Sequence, residues 1–516
     1  MMVINQTKQG VTVHRSTAKI PALFFTFLFA TLIASCETTQ SIPEIGINKK
    51  QATTPLLQRI EAVISRQNPY AKLGIQIVRL QKNEIIYQQN AYQMFTPASI
   101  LKLYTAAAAL YYLGPSYRFQ TQVLVEDLHK NQIGDLYVRA SGDPSFSTND
   151  ITKIANTVKQ LGIKNIQGNI VIDDNQFDGV LWGNGWMWND MINGYSAPIN
   201  ALNVDCNRIA VFAWPQKKAG DPVGITVEPY TNFINVKVTA KTAEENTPST
   251  VHFGLTAPGE KENKSTPPTH GLMKNQTVYV SGQLSKNKTY QYETFSVANP
   301  SLFAGFLLKE QLEKNGVQVK GQVRQGNTAE NARLIDTVSS RPLSETLIDI
   351  VKFSNNQAIE TLLKAIGLKQ GEAPGSFEKG TKAVREFLTQ EVKIKTKGLV
   401  NADGSGLSRY SQTSPEQMTS LLSYMWHNFR GGAEFVATFP IAGEDGTLNN
   451  AWKNSPLRGR VRAKTGAMSN ICSLAGYLDG TPLETYAFTF MMNGSSFTAE
   501  QCRKLYEQIL VEVLAS

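Results

Sequence analysis

The sequence predicts a mixed α/β domain interrupted by a large strand-rich insertion. Three observations carry this expectation. Helical patterns gather toward both ends of the chain, short alternating runs fill its middle, and 516 residues exceed one ordinary core. A composition of 41% hydrophobic and 18% charged residues is that of a chain that folds.

The elements follow in order. Residues 1–36 read as an export signal: Lys8, Arg15 and Lys19 stand in a stretch without acids, and residues 20–34 form an apolar run too short to span a bilayer comfortably. The run ends in Ile33-Ala34-Ser35-Cys36, which resembles a bacterial lipobox and makes Cys36 the expected lipidation site. The competing reading is a plain signal peptide whose cysteine is incidental. Residues 37–54 are polar and read as a tether. A helical pattern covers 56–66, and 74–78 begin an alternating strand. Thr96 is suited to cap a helix with Pro97 at its first position, and the alanines of 106–109 propagate it.

Past Arg118 the texture changes. Runs such as 123–125, 170–172, 225–227 and 278–280 alternate between Gly, Asp and Asn turns, as in strand-rich small domains, and most of 241–270 reads as exposed loop. Helical signals return at Asn299-Pro300 and stop near Gly316. Two helices meet at Ser354-Asn355-Asn356, the second covering 357–367. Strands at 460–464 and 474–478 and a helix from about Ala499 close the chain. This divides it into a catalytic α/β domain of residues 55–117 and 299–516, with 118–298 inserted.

A formal charge of +9 suits work beside polyanions such as cell-wall polymers or anionic lipid, although many soluble proteins are equally basic. No Lys/Arg cluster is interleaved with aromatics, so nucleic acid is not an expected partner. The five histidines are scattered and no Cys-x-x-Cys is present, so no metal and no cofactor are expected. With Cys36 lipidated, Cys206, Cys472 and Cys502 allow one internal disulfide, and Cys472 with Cys502 is the preferred pair.

Three short motifs carry the chemistry: Ser99-x-x-Lys102, Ser354-x-Asn356 and Lys464-Thr465-Gly466. Ser-x-x-Lys also occurs at Ser16 and Ser285, but only Ser99 opens an apolar helix. Residues three apart share a helix face, so Lys102 reaches the Ser99 hydroxyl, and the helix N-terminus favours an alkoxide there. Burial and a nearby Lys464 would leave Lys102 neutral enough to act as base. Ser354 is placed to relay a proton and Asn356 to orient Lys102. Lys464 and Thr465 suit a free carboxylate, Gly466 keeps a strand edge open, and the backbone N–H groups of Ser99 and Ala467 suit an oxyanion. Read singly, these residues are caps, surface charges and turns. Gly-x-Ser-x-Gly is absent, which argues against a Ser-His enzyme.

On these motifs the chain resembles the low-molecular-mass class C penicillin-binding proteins of the penicillin-binding protein 4 type, from about residue 55 to the C-terminus. Ser141-Gly142-Asp143-Pro144, Asn189-Asp190-Met191, Tyr195-Ser196-Ala197-Pro198, residues 403–409 and Gly443-x-Asp445-Gly446-Thr447-Leu448 extend the likeness. The resemblance implies a transpeptidase-like domain of the serine β-lactamase type with two nested domains inserted between the first two motifs. It implies D-Ala-D-Ala carboxypeptidase or endopeptidase action on peptidoglycan peptide stems, and β-lactams as covalent inhibitors. It also implies that Asp190, Tyr195, Arg409 and Met468 line a pocket for the stem side chain, with Asp190 on the free amine of a diaminopimelate-type residue. The middle motif departs from the more frequent Ser-Asp-Asn. Membrane contact is expected only through the lipid, on a periplasmic face. Two other functions compete: a serine β-lactamase, for which no deacylating base is identified, and an inactive peptidoglycan-binding lipoprotein.

Overall fold

A computed structural model of the protein describes residues 55–66, 71–255, 276–480 and 484–516. The export signal, the tether and Cys36 lie outside the described residues.

The chain's two ends build one antiparallel sheet in the order Val461–Met468, Ile471–Asp479, Thr485–Asn493, Lys72–Arg79, Glu84–Gln89. Its central strands are almost wholly buried, which explains their continuous apolar sequence: both faces are covered by helices. On one face the helices Pro55–Ser65 and Ala499–Leu514 pack Ile60, Leu505 and Ile509, and Tyr506 stacks on Phe490 at 4.8 Å. Cys472 and Cys502 form a disulfide that ties the last helix to this sheet, as the sequence favours. Against the other face lie the turn Ala98–Leu101, which leads into the helix Lys102–Tyr112, and the helix Pro415–His427. The second of these starts with a Ser414/Gln417 capping box and Pro415 at its first turn.

Between the first two motifs the chain leaves this sheet. It builds a five-stranded sheet ordered Val323–Gln325, Ile170–Asp173, Leu136–Arg139, Gln120–Val125, Arg333–Ser339, with a three-stranded companion from Gln318–Val319, Asn165–Ile166 and Gln132–Ile133. Between residues 173 and 318 the described residues make three smaller sheets, one of them ordered Gln291–Ser296, Arg208–Trp214, Gly224–Glu228.

Two expectations are corrected here. The insertion does not end at 298, because strands up to Arg333–Ser339 pair with Gln120–Val125 and Ile170–Asp173. The helix Pro300–Lys314, read as a return to the catalytic domain, packs against the helix Thr148–Gln160, and its Leu308 and Leu312 are buried in the same core as Ile151 and Ile154. Helical propensity located that helix without saying which core its apolar face joins. The helix Thr148–Gln160 itself stands inside a block read as strands, although Ser147 and Asp150 spell its capping box.

Candidate active site

Ser99 sits in a single 3-10 turn, Ala98–Leu101, that runs directly into the helix Lys102–Tyr112. Thr96 does not cap this helix. Its Oγ accepts from Gln412 at 2.9 Å and its N–H donates to Asn493 at 2.8 Å, while Ala98 adopts φ +50° and breaks the helical path ahead of Ser99. A left-handed alanine costs backbone energy, and it is what turns the start of the helix into the cleft.

Lys102 is fully buried, and its Nζ has three oxygens in reach: Ser99 Oγ at 2.8 Å, Asn356 Oδ1 at 2.6 Å and the Ser405 carbonyl at 2.8 Å. Burial pulls the amine down to about 7, and the carboxylates of Asp403 and Glu360 keep it from falling further. A neutral amine has two N–H bonds and one lone pair. With Asn356 and Ser405 accepting the two hydrogens, the lone pair faces the Ser99 hydroxyl.

The middle motif is the link between the helices Leu343–Lys352 and Asn356–Gln370. Ser354 has φ +58°, so the chain reverses there and the hydroxyl is presented outward from both helices. Asn355 caps the second helix, accepting from the Ala358 N–H at 3.1 Å, and its Nδ2 donates to Cys206 Sγ at 2.9 Å. The departure from Ser-Asp-Asn therefore preserves the cap. Asn356 turns the other way and donates to the Tyr195 carbonyl at 2.8 Å.

Lys464, fully buried on the edge strand Val461–Met468, donates to Ser354 Oγ at 2.8 Å and to the Thr465 carbonyl at 2.8 Å. Burial first, and the Lys102 amine second, hold it well below the ordinary lysine range. Gly466 faces the nucleophile turn so closely that a β-carbon there would lie 2.8 Å from the Pro97 carbonyl oxygen and 3.1 Å from the Ser99 nitrogen. Thr465 donates to Thr447 at 2.9 Å, and Ala467 stands exposed next along the strand.

The five motif residues thus form one cluster. The residues expected to line a pocket for the stem side chain fall into two pairs. Tyr195 donates to Asp190 at 2.7 Å, and burial together with that carboxylate raises the phenol to about 12. Arg409 donates to the Ser469 carbonyl at 3.4 Å, beside half-buried Met468 at the strand end. No hydrogen bond among the described residues joins the two pairs.

Two carboxylates that the motifs do not name complete the cluster. Glu360 is fully buried and accepts from the Gly404 and Ser405 N–H groups, the nearer at 2.8 Å, and so fixes the carbonyl that Lys102 uses. Burial, and Asp403 beside it, push Glu360 up to about 8. Asp403 accepts from Trp186, Ser405, Ser408 and Ser411 side chains or backbone within 3.1 Å and holds the same loop. The signal for Glu360 was its spacing: four residues after Asn356 it shares that residue's helix face. The Ser405 carbonyl left no trace in side-chain chemistry.

The model of the D-Ala-D-Ala carboxypeptidase 3 (S13) family matches residues 56–515. The chain is 32% identical to the D-alanyl-D-alanine carboxypeptidase of Actinomadura sp. (strain R39), over 86% of this chain and 82% of that one. It is 30% identical to the D-alanyl-D-alanine carboxypeptidase DacB of Haemophilus influenzae, over 83% and 86%. The crystal structure of penicillin binding protein 4 (dacB) from H. influenzae superposes with a TM-score of 0.75 at 26% identity, covering 88% of this chain and 99% of that chain. A second structure of the same protein is complexed with a novel β-lactam. The chain belongs to the D-Ala-D-Ala carboxypeptidase 3 (S13) family, and it is a serine, penicillin-sensitive D-Ala-D-Ala carboxypeptidase of the penicillin-binding protein 4 type.

Proposed function

We propose that Ser99 is the nucleophile, that Lys102 is its base, and that the enzyme cuts cross-links between stems as well as terminal D-Ala. The observation that carries the assignment is the paired contact: Lys102 Nζ 2.8 Å from Ser99 Oγ, and Lys464 Nζ 2.8 Å from Ser354 Oγ. Ser99 Oγ attacks the D-Ala carbonyl as its proton passes to Lys102. The oxyanion is held by the N–H groups of Ser99 and Ala467. The amine leaves with a proton delivered through Ser354, and water then releases the acyl group from Ser99. Lys464 and Thr465 receive the carboxylate on the leaving residue, and that negative charge returns Lys464 to its charged form. A cross-link offers the same D-Ala carbonyl and a D-centre carboxylate, so one geometry serves both substrates.

The stem side chain lies along Asp190, Tyr195, Arg409 and Met468, with Asp190 on its terminal amine. Asp190→Ala should slow hydrolysis of stems with a free side-chain amine by on the order of tenfold and spare acetylated ones. Chromatography of the products reads both activities, D-Ala from pentapeptides and monomers from cross-linked dimers. Equal losses on free and acetylated stems would remove Asp190 from the pocket, and an unaltered enzyme that frees no monomers would be a carboxypeptidase alone.

The lipobox-like ending at Cys36 supports a lipid anchor that holds the enzyme at a membrane facing the periplasm. Cys36→Ser should move it from the membrane to the soluble fraction on cell fractionation. Unchanged partitioning would leave a plain signal peptide.

A further inference from the structure

The sheet Gln291–Ser296, Arg208–Trp214, Gly224–Glu228 has one face that the catalytic account does not use. Ile209, Val211 and Ala213 are fully buried, so the alternate residues Ala210, Phe212 and Trp214 point away from the core. In register, Tyr292 stands opposite Phe212 and Thr294 opposite Ala210. The open face therefore carries a file of rings. Tyr290 is 54% exposed, Tyr292 52% and Trp214 36%. Phe212 stacks on Tyr292 with centroids 5.1 Å apart and meets Tyr290 at 5.8 Å. Trp214 lies flat across Gly224: a β-carbon there would come 2.2 Å from the indole. Exposed single aromatics are ordinary, but a contiguous file on an open sheet is not explained by core packing.

The file leads to the catalytic cleft. From Tyr290 to Thr294 the strand advances about 13 Å. Thr294 packs under Gly194, where a β-carbon would lie 2.8 Å from its hydroxyl. The next residue, Tyr195, holds Asn356 by its carbonyl and Asp190 by its hydroxyl. At this same end a groove of about 760 Å³ opens, bordered by Tyr292, Thr294, Arg208, Phe353 and Asn355. Thr346 also lines it, 2% exposed, with a hydroxyl that has no hydrogen-bond partner among the described residues.

We propose that this aromatic face and its groove form a binding site for the amino-sugar backbone of peptidoglycan. The inference rests on peptidoglycan being the substrate of the cleft. Pyranose rings present apolar C–H faces and a rim of hydroxyl and acetamido groups. Flat rings with wet edges match the faces, and Arg208 and the unpaired Thr346 hydroxyl match the rim. A glycan whose stem enters the cleft past Tyr195 must run within one stem length of Ser99, and the ring file starts at that wall. The platform holds the polymer while the cleft acts on its stems.

Binding is read on Ser99→Ala, which leaves the polymer intact, with peptide-free glycan strands and with chitohexaose as probes. Glycan-bound stems and free pentapeptides then compare turnover in the Ser99 enzyme. Tyr292→Ala with Trp214→Ala should weaken glycan binding by about tenfold and slow turnover of glycan-bound stems, leaving free pentapeptides and benzylpenicillin acylation unchanged. Tyr290→Ala, at the exposed end of the file, should show a smaller loss with the same selectivity and does not threaten the fold. Three results would overturn the proposal: no binding of peptide-free glycan before substitution, equal losses on free and glycan-bound stems, or retention on cell-wall sacculi that vanishes once attached proteins are digested away. The last would make the face a protein-docking surface. Loss of penicillin acylation in every form would strike the catalytic assignment instead, with glycan binding still read separately.

Discussion

Lys102→Ala should slow acylation of Ser99 by benzylpenicillin by on the order of 10³-fold, the range that loss of a general base commands. The reason is local. Lys102 is the one amine whose nitrogen lies within hydrogen-bond reach of the Ser99 hydroxyl among the described residues, at 2.8 Å, and burial brings it to about 7. The direction of the pH dependence follows. Below about 7 the group is an ammonium with no lone pair for the Ser99 proton; above it the free amine accumulates, so acylation rises as pH increases through that value. Lys102→Ala should lose this acid limb together with the rate. Stopped-flow acylation by a fluorescent penicillin across the range measures both, with circular dichroism to confirm folding. A folded variant that keeps the limb would place the base elsewhere.

Lys464→Ala has the next largest expected effect, on the order of 10²-fold in kcat/KM for a D-Ala-D-Ala peptide. Two losses combine. The substrate carboxylate loses its buried cation, and Ser354 Oγ loses the 2.8 Å contact that fixes it for proton delivery. The Lys102 charge is one reason Lys464 lies far below its ordinary range. Lys464 is therefore already neutral where Lys102 titrates, and burial with Asp403 and Glu360 sets Lys102. The rate should fall with the acid limb left near 7, and a limb that moved with the loss would make Lys464 part of the base.

The cluster of motif residues was legible because its parts are side chains with distinctive chemistry. Ser99 and Lys102 are a helical turn apart, and Ser354 and Lys464 follow on a helix junction and a strand, as their local patterns indicate. What escaped was what side-chain identity does not encode. The Ser405 carbonyl that completes the Lys102 environment is backbone, and Glu360 reads as an ordinary helix residue until its burial is known. Thr96 has the composition of a cap, yet Gln412 and Asn493, more than 300 residues away, take its hydrogen bonds. Tertiary partners overrode a sound local signal.

The fold divided in the same way. Strands with alternating or wholly apolar sequence were readable, as at 170–172 and 474–478. Their partners were not, since pairing is a long-range choice. The return from the insertion was placed at Asn299-Pro300, a true helix start, whereas the chain re-enters the catalytic domain only after Arg333–Ser339 has paired with Gln120–Val125.

Every step of the proposed reaction runs through an acyl group on Ser99. Intact-protein mass spectrometry after exposure to benzylpenicillin tests it most directly, with Ser99→Ala treated alongside. One penicilloyl group should add to the unaltered protein and none to Ser99→Ala. An adduct on folded Ser99→Ala, or none on the folded unaltered protein, would contradict it.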